Sequence, residues 1–460
     1  MSGYRTEADS MGSIQVPDSA LYGAQTQRAV DNFTLGGGPL PAPLIKAIIA
    51  IKRAAASANA ELGQLTNETA KAIIQACDKI GTDELVQQFP VDTFQTGSGT
   101  SSNMNVNEVL AHLASELLGD SVHPNDHINA SQSSNDVFPS AIRVATAIEI
   151  TTRLLPALAH LQAQIRNKTE TVGHIVKTGR THLMDAMPVT FAQVLGAWAD
   201  QIDANQRRLD QQLEELLALP QGGTAVGTGI NAHPDFAGHF NQALARHTGL
   251  AFRPTANAFT KIGAQDDLVA LSGTLKTTAV SLIKIANDLR WMNSGPLAGL
   301  SEITLPALQP GSSIMPGKIN PVIPEAVLMA STQVIGYDTA VTIAGQSGNF
   351  ELNVMLPLMG TNLLTSINLL SNSAHSLADK AISGFTVNQT NIDQPLARNP
   401  ILVTALNTEI GYTKAASIAK QAYAEGRDII DVAAEQTTIP REALAKLLNP
   451  AKLANPGNNV

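Results

Sequence analysis

Between Ala192 and Leu219 the chain runs without a proline, and Leu195, Ile202, Leu209 and Leu216 recur at seven-residue spacing. That spacing is the seam of a helix packed lengthwise against other long helices. Further long helical patterns run from about Gln265 to Met292, from about Pro324 to Ser347, and over roughly Leu352 to Ile382. Another passes through Ile142, Val144, Ile148, Ile150 and Leu154. Together they predict a mainly α chain with a bundle of nearly parallel or antiparallel helices. The reading is three domains: an N-terminal domain over 1–134, a central helical bundle over 135–389 and a small C-terminal helical domain over 390–460. A few short apolar runs leave room for small β elements near the ends.

Residues 1–40 read mostly as loop, broken by Pro17, the Gly36-Gly37-Gly38 run, Pro39 and Pro41. From about Pro43 to Gln75, Ile45, Ile48, Ile49 and Ile51 lead into an alanine-rich run that favours helix. Past Gly384, Asn-rich turns and Pro395, Pro400, Pro440 and Pro450 punctuate short helices, and Asn455–Val460 reads as a frayed end. There is no internal repeat.

Charged residues make up 15% of the 460, against roughly 25% in an average soluble protein. A surface so short of charge predicts coverage by other subunits. The net charge of −9 and the lack of any Lys/Arg run exclude a nucleic-acid-binding face. The single Cys77 has no partner for a disulfide or zinc cluster, and is expected to be buried and inert. No apolar run looks long enough to span a bilayer, and the first residues carry neither a signal core nor a transit pattern. The expected location is therefore the cytoplasm.

The densest chemistry lies in Gly311-Ser-Ser-Ile-Met-Pro-Gly-Lys-Ile-Asn-Pro321. Its glycines and prolines hinge a loop whose N–H groups, Lys318 and Asn320 could face a carboxylate. It is not a phosphate loop, because five residues separate the glycines and Ile319 follows the lysine. A surface turn with a solvated lysine is the plain alternative. Thr96–Glu108 is a glycine and hydroxyl loop leading to a helix expected near Asn105, with Ser98 and Thr100 as anion donors or as a simple N-cap. Ser131–Asp136 repeats that design ahead of the next helix. His123 and His127 stand at metal spacing, but Pro124 argues against a regular helix and no third ligand is near. In Lys177–Asp185, Thr181 and His182 lie between Arg180 and Asp185, charged neighbours available to the imidazole. Gly222–Gly229 has no preceding strand and is poor support for a dinucleotide fold.

In order along the chain, Thr96–Glu108, His123–Asp126, Ser131–Asp136, Gly179–Asp185, Gly222–Asn231 and Gly311–Pro321 resemble the motifs of the fumarase and aspartase superfamily, most closely its class II fumarases. Met315-Pro-Gly-Lys318 and Ser133-Ser-Asn135 are similar to the fumarase wording more than the aspartase one. The resemblance implies a three-domain fold whose long helices form the core of a homotetramer, with each active site shared by three subunits. It implies fumarate and L-malate as substrates, no cofactor and no metal. By the same carry-over, Ser312 is the base, Lys318 and Asn320 hold the charge of an aci-carboxylate intermediate, and His182 paired with Glu325 serves the hydroxyl side. Glu325 also suits the start of a helix on its own. Ser98, Gly99, Thr100, Ser133, Ser134, Asn135, Thr181 and Ser313 would bind the carboxylates. His123, Pro124, Asn125 and Asp126 resemble a second carboxylate site, with Asp120 where relatives often carry a basic residue. The alternatives are an aspartate ammonia-lyase and a non-catalytic structural protein of the same fold.

Overall fold

A computed structural model of the chain describes residues 3–80, 87–311 and 313–455. It is mainly helical, with a few two-stranded pieces of sheet. The frayed end expected at 455–460 lies, apart from Asn455, outside the described residues. The chain forms two compact units, one of Met1–Pro156, Asn205–Ala279 and Ser331–Ser371, the other of Ala157–Ala204, Val280–Ala330 and Asn372–Val460.

The first unit opens with a hairpin of β1 (Tyr4–Asp9) and β2 (Gly12–Pro17), followed by α1 (Ala24–Asn32). This corrects the reading of residues 1–40 as mostly loop. No apolar alternation marks the strands, because the hairpin is tied down by Arg5, which donates to the carbonyls of Pro17, Ala20 and Tyr22. The helix expected from Pro43 to Gln75 is two: α2 (Ala42–Glu61) and α3 (Asn67–Lys79). Gly63 at φ +67 ends the first, and the Thr66 hydroxyl accepts from Thr69 N to cap the second. In α2, Leu44, Ile48, Ile51 and Ala55 are fully buried, and the helix packs on α3 and on the helices Ser134–Glu149 and Phe236–Thr248.

Beyond it lie α4 (Thr100–Leu118), α5 (Ser134–Glu149) and, through a π-turn at Ile150–Leu154, α6 (Leu155–Val172). Strands β3 (Val176–Thr181) and β4 (Met184–Thr190) form an antiparallel hairpin. The long helix α7 (Phe191–Leu216) carries the seven-residue seam, and all four of its members are fully buried. Then come α8 (Phe236–Thr248), α9 (Asp266–Met292), α10 (Val322–Gly345) and α11 (Leu356–Leu377). The last runs into a π-turn, Ala378–Ile382. Within the second unit, short helices after residue 400 enclose their own core of Leu402, Leu406, Ile418, Val432 and Leu444.

Helix α9 is in fact long and apolar enough to cross a bilayer, which corrects the expectation that no run is. Half of that stretch is buried by the protein, and Lys276 within it is paired with Asp338 at 2.6 Å. Helix α10 has an unusual surface. From Ala326 to Gly345 its one charged side chain, Asp338, is buried. Its exposed side instead carries Met329, Gly336 and Ile343 at seven-residue spacing.

Candidate active site

In the first unit, the Thr96–Thr100 loop is held by shape. Gly99 has φ +74, and a Cβ there would lie 2.0 Å from the buried Phe138 ring. The chain therefore enters α4 at Thr100, five residues before the expected start, with Gly99 as its N-cap. Ser98 Oγ and Thr100 Oγ1 are 2.7 Å apart at that end. The first turns of α4 also bury Ser102, Asn103, Asn105 and Asn107.

At the head of α5, Ser133 and Asp136 form a capping box, with Ser133 N donating to Asp136 Oδ1 at 2.9 Å. The second oxygen of Asp136 accepts from Gly222 N and Thr224 N, and Asn135 Nδ2 donates to Ala225 O at 2.8 Å. The glycine-rich segment after α7 thus serves as backing for the Ser133–Asn135 cluster. Asn103 Nδ2 reaches Ser134 Oγ at 3.3 Å, so the two helix N-termini, each favourable to an anion, belong to one network.

Lys52 stands behind both. Fully buried on α2, it donates to Asn129 Oδ1 at 2.8 Å and Gln132 Oε1 at 3.1 Å. Asn129 Oδ1 also accepts from Asn103 and Asn107. Burial pushes the Lys52 ammonium down to about 7 against the pull of Asp136. Burial likewise raises the Asp136 carboxyl to about 6, outweighing its backbone donors and Lys52.

His123, Pro124, Asn125 and Asp126 enter a π-turn, Pro124–Ile128, packed on α4. The two rings there are used locally. His123 Nδ1 accepts from Asp126 N at 3.1 Å, and His127 Nδ1 from His123 N at 2.9 Å.

In the second unit, Thr181 pairs with Met184 across the β3–β4 hairpin, and His182 and Leu183 form its two-residue tip. Both have left-handed backbones, φ +55 and +61. Two non-glycine residues in that region carry strain of the kind found at functional sites. Arg180 does not serve the imidazole, as its sequence position had implied. It pairs with Glu302 at 2.8 Å, which also holds Lys177 at 3.0 Å and so anchors the strand that leads to His182.

The Gly311–Pro321 loop closes on itself. Gly311 N donates to Lys318 O at 2.9 Å, and Asn320 Nδ2 donates to Gly311 O at 2.7 Å. One N–H of Asn320 is thus spent on the loop, leaving the other and its carbonyl. Lys318, Asn320 and Glu325 line a single cleft of about 490 Å³ with Arg290, Asn293 and Ser294. Glu325 lies in the first turn of α10. Among the described residues, neither the Lys318 ammonium, the His182 ring nor the Glu325 carboxylate has a side-chain partner. Ser312 lies outside the described residues, and Ser313 beside it is exposed.

Little in the sequence marks Lys52, Asn129, Gln132 and Glu302 as part of the site. Lys52 did leave a trace, since it interrupts the apolar stripe of Ile45, Ile48 and Ala55 at a helical position. Its amide partners, distant in sequence, left none.

Residues 12–336 match a family model described as lyase, and 402–455 match one described as fumarase C C-terminus. "Fumarate hydratase class II 2" of Pseudomonas aeruginosa is 60% identical, covering 99% of this chain and 100% of its own. A "fumarate hydratase class II" of Xylella fastidiosa is 56% identical over 99% of this chain and 97% of its own. The crystal structure of a class II fumarase from Schistosoma mansoni superposes with a TM-score of 0.96 at 36% identity, covering 99% of this chain and 100% of that one.

Proposed function

Because this chain belongs to the class II fumarate hydratases, we propose a specific division of labour among its residues. The reaction is the reversible trans addition of water to fumarate, giving L-malate. Starting from malate, in the dehydration direction, Ser312 takes the carbon-bound proton, and the electron pair flows into the neighbouring carboxylate to give a dianionic aci-carboxylate. Hydroxide then leaves from the adjacent carbon as water, with a proton supplied on the His182 side and His182 oriented by Glu325.

The intermediate carries more negative charge than the substrate, so donors fixed in advance lower the barrier more than they tighten substrate binding. One observation carries the assignment: the Gly311–Lys318 and Asn320–Gly311 bonds hold the loop in a ring that, among the described residues, leaves the Lys318 ammonium without a side-chain partner in a cleft with Asn320 and Glu325. A depressed serine pKa at position 312 requires such a neighbour. Ser98, Gly99, Thr100, Ser133, Ser134 and Asn135 bind one end of the dicarboxylate at the heads of α4 and α5, while Thr181 and Ser313 contribute from the other clusters. His123, Asn125 and Asp126 form an accessory carboxylate site.

The active protein is a homotetramer whose sites combine clusters from three chains. Supporting this is the absence, within one chain and among the described residues, of any hydrogen bond between His182 and Glu325. The exposed side of α10, uncharged from Ala326 onward, supports it too.

The test follows the ultraviolet absorbance of fumarate mixed with purified protein and a chelator, with and without ammonium. Loss of the conjugated double bond without ammonium, yielding malate, is the expected result. Loss only with ammonium would instead make the protein an aspartate ammonia-lyase, and no loss in either would point first to other fumarate-releasing lyase substrates and only then to a non-catalytic role.

A further inference from the structure

Three side chains outside every cluster named above converge on one patch of the second unit. His160 comes from α6, His375 from the end of α11, and Asp379 from the π-turn that follows it. Their ligand atoms all lie within 4.8 Å of one another, and this is the one such trio of His, Cys, Asp or Glu among the described residues. His160 Nε2 is 2.6 Å from Asp379 Oδ1, and the two imidazole centroids are 5.3 Å apart.

A surface ion pair would account for His160 and Asp379 alone. It does not account for His375, which sits four residues before Asp379 and so projects from the same side of the helix. The third group, from a separate helix, completes a set of two imidazole nitrogens and one carboxylate oxygen. That set suits zinc, cobalt or nickel, whereas magnesium and calcium prefer oxygen alone.

Bonds of about 2.0–2.2 Å to a tetrahedral ion place its ligand atoms about 3.3 Å apart. The trio reaches this spacing by opening the His160–Asp379 contact slightly and turning His375 inward. Side chains 36% exposed at His160 and 52% at Asp379 have the freedom to do so, and leave the outward position to water.

We propose that His160, His375 and Asp379 form a three-ligand site for a divalent transition metal of the zinc class. The ion ties α6 to the end of α11 and takes no part in hydration, since none of its ligands belongs to the catalytic clusters. Its effect is on stability, because an ion bound by the folded state and not the unfolded one raises the melting temperature.

The experiment uses the full-length, tag-free protein, freed of metal by a chelator that is then removed, and titrated with zinc chloride by calorimetry. One equivalent per chain should bind, with a rise in melting temperature. His375→Ala and Asp379→Asn should each weaken binding by about tenfold or more while leaving fumarate hydration unchanged. Crystals soaked in zinc should show an anomalous peak among the three side chains. No binding below about 1 mM zinc, or affinity undiminished in both variants, would overturn the proposal. His123→Ala serves as control, since a titration lost there would place the ion at the His123–His127 turn instead.

Discussion

Lys52 is a cation shut away from water, and its surroundings decide what it does. Its ammonium is held down to about 7, far below that of an exposed lysine near 10.5. Between those values the unfolded chain binds the proton and the folded chain does not, so folding stability rises with pH across that window. Asp136 works in the opposite sense. Its carboxyl, raised to about 6 from 3.8, keeps its proton longer when folded, so its contribution is complete below 3.8 and fades as pH climbs to 6. Lys52→Met should abolish the rise above pH 7 in urea midpoints, and should raise KM for fumarate more than it lowers kcat. A fall in kcat at constant KM would contradict this positioning role. Ser312→Ala and His182→Asn should each lower kcat by roughly 100-fold or more, as loss of an acid or base does, with assembly intact by light scattering. Near-normal turnover in both would remove these assignments.

At the level of elements, the long helices could be read from their periodicity, whereas the pieces that shape the site could not. The start of α4 is hidden in the sequence because Ser102, Asn103, Asn105 and Asn107 look like loop residues. They are instead buried helix residues whose side chains serve a polar network. The β3–β4 tip was hidden because His182-Leu183 has none of the Asn-Gly character that marks a two-residue turn. Two substitutions test these elements. Gly99→Ala combines an unfavourable φ with a clash against Phe138, and should cost roughly 2–4 kcal/mol in denaturant unfolding. Leu183→Gly relieves one left-handed residue and should gain up to about 1 kcal/mol. A loss of stability there would mean that the Leu183 side chain, 65% exposed, has packing that the single chain does not display.

For the molecule as a whole, the polar motifs were plain in the sequence because their glycines, hydroxyls and amides are chemically dense. Their grouping was not, because the heads of α4 and α5 are joined by side chains distant in sequence, Asn103 bonding to both Ser134 and Asn129. If the sites are shared between chains, two inactive variants with lesions in different clusters should restore each other. Co-expressed Ser312→Ala and His182→Asn chains should recover measurable hydration, while each variant alone stays inactive. Met329→Asp should yield a smaller species by light scattering, with activity lost in parallel. The exposed side of α10 has one more consequence, at the moment of synthesis. If copies of the chain cover that side, a newly made chain presents a long uncharged helix face to solvent before any copy is near. Its yield then depends on how quickly siblings meet, and slow, dilute expression should favour loss to chaperones and inclusion bodies over accumulation of enzyme.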